Sequence, residues 1–232
     1  MVHTFSIREG LEKLIKLFSN RTIQILLIIF LFALALRLLC FGINPLIGLL
    51  IPDVIYFLLL GENLANGVGF TRFGAPEDKV PPIHPLIIAV SYFFGGINYQ
   101  SAILPSVLIG SLLVIPVYFL GYRLYDRRVG YLAALFVASN PILWLFSGIP
   151  MSEIPFTFLS ICALYFLSIK RSKKNLLLGG VFTGLSYLCR YNGILILFSY
   201  SCIVLYSLWK KRQLKVSFLE FLQYAAGFLI IT

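Results

Sequence analysis

Few ionisable side chains stand outside the basic clusters of this chain, so each can be weighed for chemistry. Asp53, Glu62, Arg72, Glu77, Asp78 and Lys79 lie close together, and Glu153, Arg190 and Arg37 stand alone in apolar surroundings. Asp53 opens an apolar helix-like stretch and shares a face with Tyr56 and Phe57 at i+3 and i+4. Its carboxylate suits a general base at a membrane surface. It equally suits the first turn of a helix begun by Pro52, where the dipole favours an acid. Glu153 has the same two readings, with Ser152 as the cap. Arg190, before Tyr191-Asn192-Gly193, is either a donor fork for a phosphate or a helix-end arginine reaching for headgroups. Arg37, within an apolar run, leans toward structure. His84, in Pro81-Pro82-Ile83-His84-Pro85, is a ligand, a hydrogen-bond donor or simply part of a rigid turn. The other histidine, His3, falls in the basic N-terminal segment, which argues against a zinc site.

The elements that position these residues are apolar helices. Of 232 residues, 59% are hydrophobic and only 12% charged. Soluble domains carry about 25% charged residues, so lipid is the solvent that accounts for the excess apolar surface. Runs from Ile23 to Gly42, Ser101 to Tyr122, Val129 to Phe146, Ile154 to Ile169, Asn175 to Cys189, Gly193 to Trp209, and Val216 to the end predict about seven transmembrane helices. The fifth is short and glycine-rich, which allows close helix packing. Four cysteines (Cys40, Cys162, Cys189, Cys202) sit in apolar runs without a CxxC pair and read as small buried hydrophobes.

Fifteen of the 19 Lys and Arg fall before the first run or after the second, fourth and sixth. The positive-inside rule makes that side cytoplasmic and puts the N-terminus there. The net charge of +10 is thus a topology signal rather than a nucleic-acid footprint. The first run reads as a retained anchor after a cytoplasmic segment, residues 1–22, and residues 23–232 as one polytopic membrane domain. Residues 43–100 become a long extracytoplasmic loop. Its apolar piece from His84 to Phe94 is too short to cross and reads as interfacial or re-entrant. The expected place is a cell membrane, with the functional residues on the outer face.

Several ordered stretches resemble the glycosyltransferase C (GT-C) superfamily. The closest branch is that of dolichyl-phosphate-mannose protein mannosyltransferases and lipid A aminoarabinose transferases. Arg37 precedes Asp53 and YFLLLGENLANGVGF, similar to the family's first outer loop. VPPIHPLIIAVSYFFGG resembles its Pro-Pro helix start. GYRLYDRRVGYLAALFVASNPILWLFSGIPMSE resembles its inner loop, third span and outer acidic motif, and GLSYLCRYNGILIL its turn after the fifth span. Two departures stand out: Val54 follows Asp53 where many mannosyltransferases have Glu, and Lys79 lies one residue further from the Pro-Pro than in the aminoarabinose transferases.

The resemblance implies transfer of a sugar from a polyprenyl- or dolichyl-phosphate donor to an acceptor hydroxyl, with inversion. It implies Asp53 as general base, with Glu153 orienting the acceptor or Asp53. Arg190, helped by Arg72 or Lys79, would bind the donor phosphate, with Arg37, Tyr56 and His84 in support. No cofactor is expected; a divalent cation, Mg2+ or Mn2+, is an option at Asp53 and Glu153. The implied partners are the lipid-linked donor, an unidentified acceptor and the membrane, with a second membrane subunit as an option and no nucleic acid. Full-length relatives carry further C-terminal spans beyond this seven-span module. A transporter or flippase, and a non-catalytic membrane subunit, remain as alternatives.

Overall fold

A computed structural model describes residues 20–40, 51–170, 172–211 and 214–232. Expectations for residues 1–19 and 41–50 lie outside the described residues.

The described chain is almost wholly α-helical. Helix α1 (Arg21–Cys40) buries the stripe Leu26, Ile29, Ala33 and Arg37, spaced three and four apart. It packs on α5 (Val114–Leu124) and α6 (Arg127–Ser139) through Val114, Tyr118, Ala134 and Ala138. Before α5 runs α4 (Tyr99–Leu112), and the two make one 26-residue apolar rod, Tyr99–Leu124. Pro105 inside α4 leaves the Ser101 carbonyl without its intrahelical partner. The Ser91 hydroxyl from the neighbouring helix donates to that carbonyl, the kind of repair that lets proline survive in a membrane helix.

Helix α7 (Pro141–Ser147) follows α6 at a bend of 54°. The run from Val129 to Phe146 reads as one span in the sequence, and its bend has a visible cause. The Asn140 side chain accepts the Ile142 and Leu143 N–H groups at 2.9 and 3.1 Å, starting a new helix. Pro141 cannot bond the Val137 carbonyl, which instead receives Nη2 of Arg37 at 3.5 Å. Trp144 Nε1 donates to the Ala138 carbonyl at 2.7 Å.

Helices α8 (Glu153–Ser168) and α9 (Lys173–Cys189) form an antiparallel hairpin. A 3₁₀ turn (Tyr191–Gly193) leads into α10 (Ile194–Lys211), and α11 (Leu214–Ile231) returns along α9. Gly180 and Gly184 let α9 meet α11 backbone to backbone.

Between α1 and α4 lies the segment that carries most of the isolated charges. It contains α2 (Pro52–Ala65), a hairpin of β1 (Thr71–Arg72) and β2 (Ala75–Pro76), and α3 (Ile83–Gly95). Positive φ at Phe73 (53°) and Gly74 (83°) makes the two-residue turn. Phe57, Ile88, Tyr92 and Ala102 bind α2, α3 and α4 together.

Among the described residues, two helices are long and apolar enough to cross a bilayer: Arg21–Leu39 and Tyr99–Leu124, with mean hydropathies of 2.5 and 2.3. The bent pair makes a third if counted as one span. The seven spans expected from the sequence are therefore not shown. A helix rises about 1.5 Å per residue, so the 16 residues of α8 reach roughly 24 Å, short of the ~30 Å hydrocarbon layer. The all-α character and the lipid-like outer surface do hold: Phe136, Leu229 and Ile230 are each more than 70% exposed.

Candidate active site

Four separate stretches of sequence meet at one cavity of about 260 Å³. Helix α2 contributes Asp53, Tyr56 and Phe57. The segment before α3 contributes Lys79, Val80 and Pro81, and the α7–α8 link Met151 and Ser152. The end of α9 and the 3₁₀ turn contribute Cys189, Arg190, Tyr191 and Asn192.

Local rules explain each placement. Pro52 fixes the first turn of α2, and Asp53 follows it in the acid-favouring turn, exposed toward the cavity mouth. The carboxylate has no ion-pair partner among the described residues. Arg190 sits just past the last turn of α9 in extended conformation, which swings its side chain away from the helix axis. Its Nη1 donates to Glu153 Oε1, forming an ion pair, and to Ser152 Oγ at 3.4 Å. The Cys189 thiol contacts the Ser152 carbonyl at 3.7 Å. These contacts clamp the start of α8 to the end of α9. Glu153 Oε2 is buried without a hydrogen-bond partner among the described residues.

Glu77 organises the Lys79 segment. Its carboxylate pairs with Arg72 Nε at 2.5 Å and accepts the Lys79 backbone N–H at 2.8 Å. Arg72 in turn lies over the Tyr56 ring, 4.4 Å from its centroid. The Tyr191 hydroxyl donates to the Asp78 carbonyl at 3.4 Å, tying the turn after α9 to the residue before Lys79.

The sequence candidates therefore separate into groups. Asp53, Tyr56, Lys79 and Arg190 line the cavity, and Glu153 adjoins it through Arg190. Arg72 stands one layer behind Tyr56, engaged with Glu77. His84 is buried behind Phe57, edge-on to its ring at 4.7 Å, and does not line the cavity. Burial pushes its pKa down to about 4; the Pro150 carbonyl opposes this only in part. Arg37 is away from the site and fully buried at the α1–α6–α7 junction, with Nε on Ser147 Oγ at 3.2 Å and Nη1 on the Ala33 carbonyl at 3.1 Å. It braces the bend from which the chain runs to Ser152.

Ser152, Cys189, Tyr191 and Asn192 were not singled out as site residues from the sequence. The available signal was their adjacency to Glu153 and Arg190. Of the two carboxylates named for a divalent cation, Asp53 faces the cavity and Glu153 faces Arg190. Among the described residues no cluster of three His, Cys, Asp or Glu side chains forms.

Chemically, the cavity is lined by one carboxylate without an ion-pair partner among the described residues, by a lysine, by an arginine held by Glu153, and by two tyrosine rings. That set can accept a proton and hold an anion within one small volume.

The family model for dolichyl-phosphate-mannose-protein mannosyltransferase matches residues 79–232. Lys79, Glu153 and Arg190 fall inside the matched stretch, and Asp53 lies before it. Neither the curated proteins nor the solved structures contain a match to the chain.

Proposed function

This chain belongs to the dolichyl-phosphate-mannose-protein mannosyltransferase family, and we propose that its cavity transfers a sugar from a lipid-phosphate donor to an acceptor hydroxyl. Family and apolar surface together support a membrane glycosyltransferase of the GT-C type. The finer reading rests on one observation: Asp53, Lys79 and Arg190, from three separate segments, line a single cavity.

In this reading Asp53 takes the proton of the acceptor hydroxyl as its oxygen attacks the anomeric carbon. The new C–O bond forms as the bond from the anomeric carbon to the phosphate oxygen breaks. The lipid phosphate departs with the electron pair, and Arg190 and Lys79 balance its charge. A single displacement inverts the anomeric centre. Glu153 holds Arg190 in place, and Tyr56 and Tyr191 offer ring faces to the sugar. The donor is a polyprenyl or dolichyl phosphate sugar, whose tail stays in lipid while its head meets the cavity. The cavity faces the extracytoplasmic side, because the basic clusters mark the other side as cytoplasmic.

Donor and acceptor kinetics test the assignment of cations. Losing a hydrogen bond to a charged group costs about 1.5–3 kcal/mol, or roughly 10–100-fold. Arg190→Ala should raise KM for the donor by that factor and leave the acceptor KM within about twofold. Equal effects on both substrates would make Arg190 a structural arginine.

A further inference from the structure

A second charged cavity lies at the opposite end of the bundle. Its volume is about 250 Å³, and it is lined by Arg21, Thr22 and Ile25 of α1 and by Arg127 and Tyr131 of α6. α1 and α6 run side by side from this end, and Arg37 meets Val137 toward the other, where the chain leads to Ser152 and the candidate active site.

The electrostatics of this cavity are unbalanced. Both arginines occupy the first turn of their helices, the positive end of each dipole, where an acid would be favoured. Neither first turn contains an acid. The two guanidiniums line one cavity, and neither pairs with a carboxylate among the described residues. Asp126, the acid next in sequence, spends its side chain capping α6 through the Val129 N–H at 2.8 Å and does not line the cavity. Two like charges converge, and no carboxylate among the described residues pairs with either; the helix ends themselves are capped, by Asn20 on the Thr22 N–H at 2.9 Å and by Asp126. An anion would neutralise both guanidiniums at once. The walls also carry two hydroxyls, from Thr22 and Tyr131, both hydrogen-bonded with Tyr118, and one apolar side chain, Ile25.

We propose that this cavity binds a phosphate group, clamped between Arg21 and Arg127. It is a site separate from sugar transfer. Two sources present that chemistry: the headgroup of an anionic membrane lipid, and phosphate in solution. The apolar wall at Ile25, beside the exposed Ile28 and Leu132, suits a phosphate that carries an acyl tail.

The test uses the purified full chain in a neutral detergent, with unfolding temperature and native mass spectrometry as readouts. Dioctanoyl phosphatidic acid is the lipid probe and dioctanoyl phosphatidylcholine its control; potassium phosphate is compared with potassium chloride at equal ionic strength. Phosphatidic acid should bind and stabilise, and phosphatidylcholine should not. Arg21→Gln with Arg127→Gln should weaken that binding at least ~10-fold, the scale of one lost charged hydrogen bond or more. Arg123→Gln with Arg128→Gln removes the same charge from the same end without touching the cavity, and should stay within about twofold. Both lost arginines are exposed, so the unliganded double variant should melt with the wild type. If inorganic phosphate also protects wild type and fails on the cavity variant, the ligand is phosphate itself; if only the lipid does, it is a headgroup. No protection by either probe, or equal loss in both double variants, overturns the site.

Discussion

Gly180 offers a quantitative test of how α9 is held, and α9 delivers Arg190. A Cβ at Gly180 would sit 2.1 Å from the Tyr224 carbonyl oxygen, 2.8 Å from the Phe228 nitrogen and 3.0 Å from the Gly227 Cα. All three are backbone atoms of α11, so no side chain can rotate away. Reaching an ordinary contact would require α9 and α11 to part by about 1 Å, opening their interface along its length. Overpacking of this kind costs about 1–3 kcal/mol. Alanine returns up to about 1 kcal/mol of helix propensity. Gly180→Ala should therefore destabilise by a net ~1–2 kcal/mol, or about 2–8 °C at roughly 2–4 °C per kcal/mol. Gly179→Ala is the internal control, because its Cβ meets the movable Leu167 Cδ2 at 2.8 Å and no backbone atom closer than 3.8 Å. It should lose less than half as much. With Cys40 and the exposed Cys202 replaced by serine, unfolding can be followed with a thiol-reactive dye, since Cys162 and Cys189 are buried until the bundle opens. Equal losses at the two positions, or a stabilised Gly180→Ala, would refute the backbone-contact argument.

Two other expectations concern pH and sidedness. His84 has a pKa near 4 in the folded chain against 6.5 unfolded, so the unfolded state takes the proton first. Its contribution is intact above about pH 6.5 and declines as pH falls toward 4, by on the order of 3 kcal/mol in all. His84→Gln should flatten the drop in unfolding temperature between pH 7.5 and pH 5, and an unchanged drop would show that another group carries it. In a background without native cysteines, a cysteine at Asn66 should react with an impermeant reagent from outside the cell and one at Ser172 should not; the reverse labelling would invert the proposed orientation.

Much of the helical content was legible because lipid imposes a simple code: long apolar runs, basic ends and small residues at contacts. The glycine-rich fifth run was readable as a close-packing helix in this way, and the structure assigns the contact to Gly180 and Gly184. Two features escaped that code for physical reasons. The bend at Asn140-Pro141 was hidden by hydropathy, which stays high through Phe146, although Asn-Pro is itself a turn signal. Span number was not legible because hydropathy marks where a chain is apolar and does not say how far it rises; 16 residues of α8 read as lipid-compatible without being 30 Å long.

The site was legible unevenly. Asp53, Glu153 and Arg190 could be picked out because a charge beside an apolar helix needs a reason. Spacing alone left each equally at home as a cap or helix end, and only the ordered motifs joined them. Arg37 looked like their companion but is spent on the carbonyl that Pro141 abandons, a repair visible only when α1 and α6 lie together. Lys79 is oriented by Glu77, two residues before it, and by the Tyr191–Asp78 tie, which joins residues 113 positions apart.

The role of Asp53 carries the functional account, and a purified transfer assay reaches it most directly. With a labelled polyprenyl-phosphate sugar as donor, Asp53→Asn should melt like the wild type and lose about two to four decades of transfer rate, the scale of a missing general base. Transfer by Asp53→Asn at close to the wild-type rate would contradict the account.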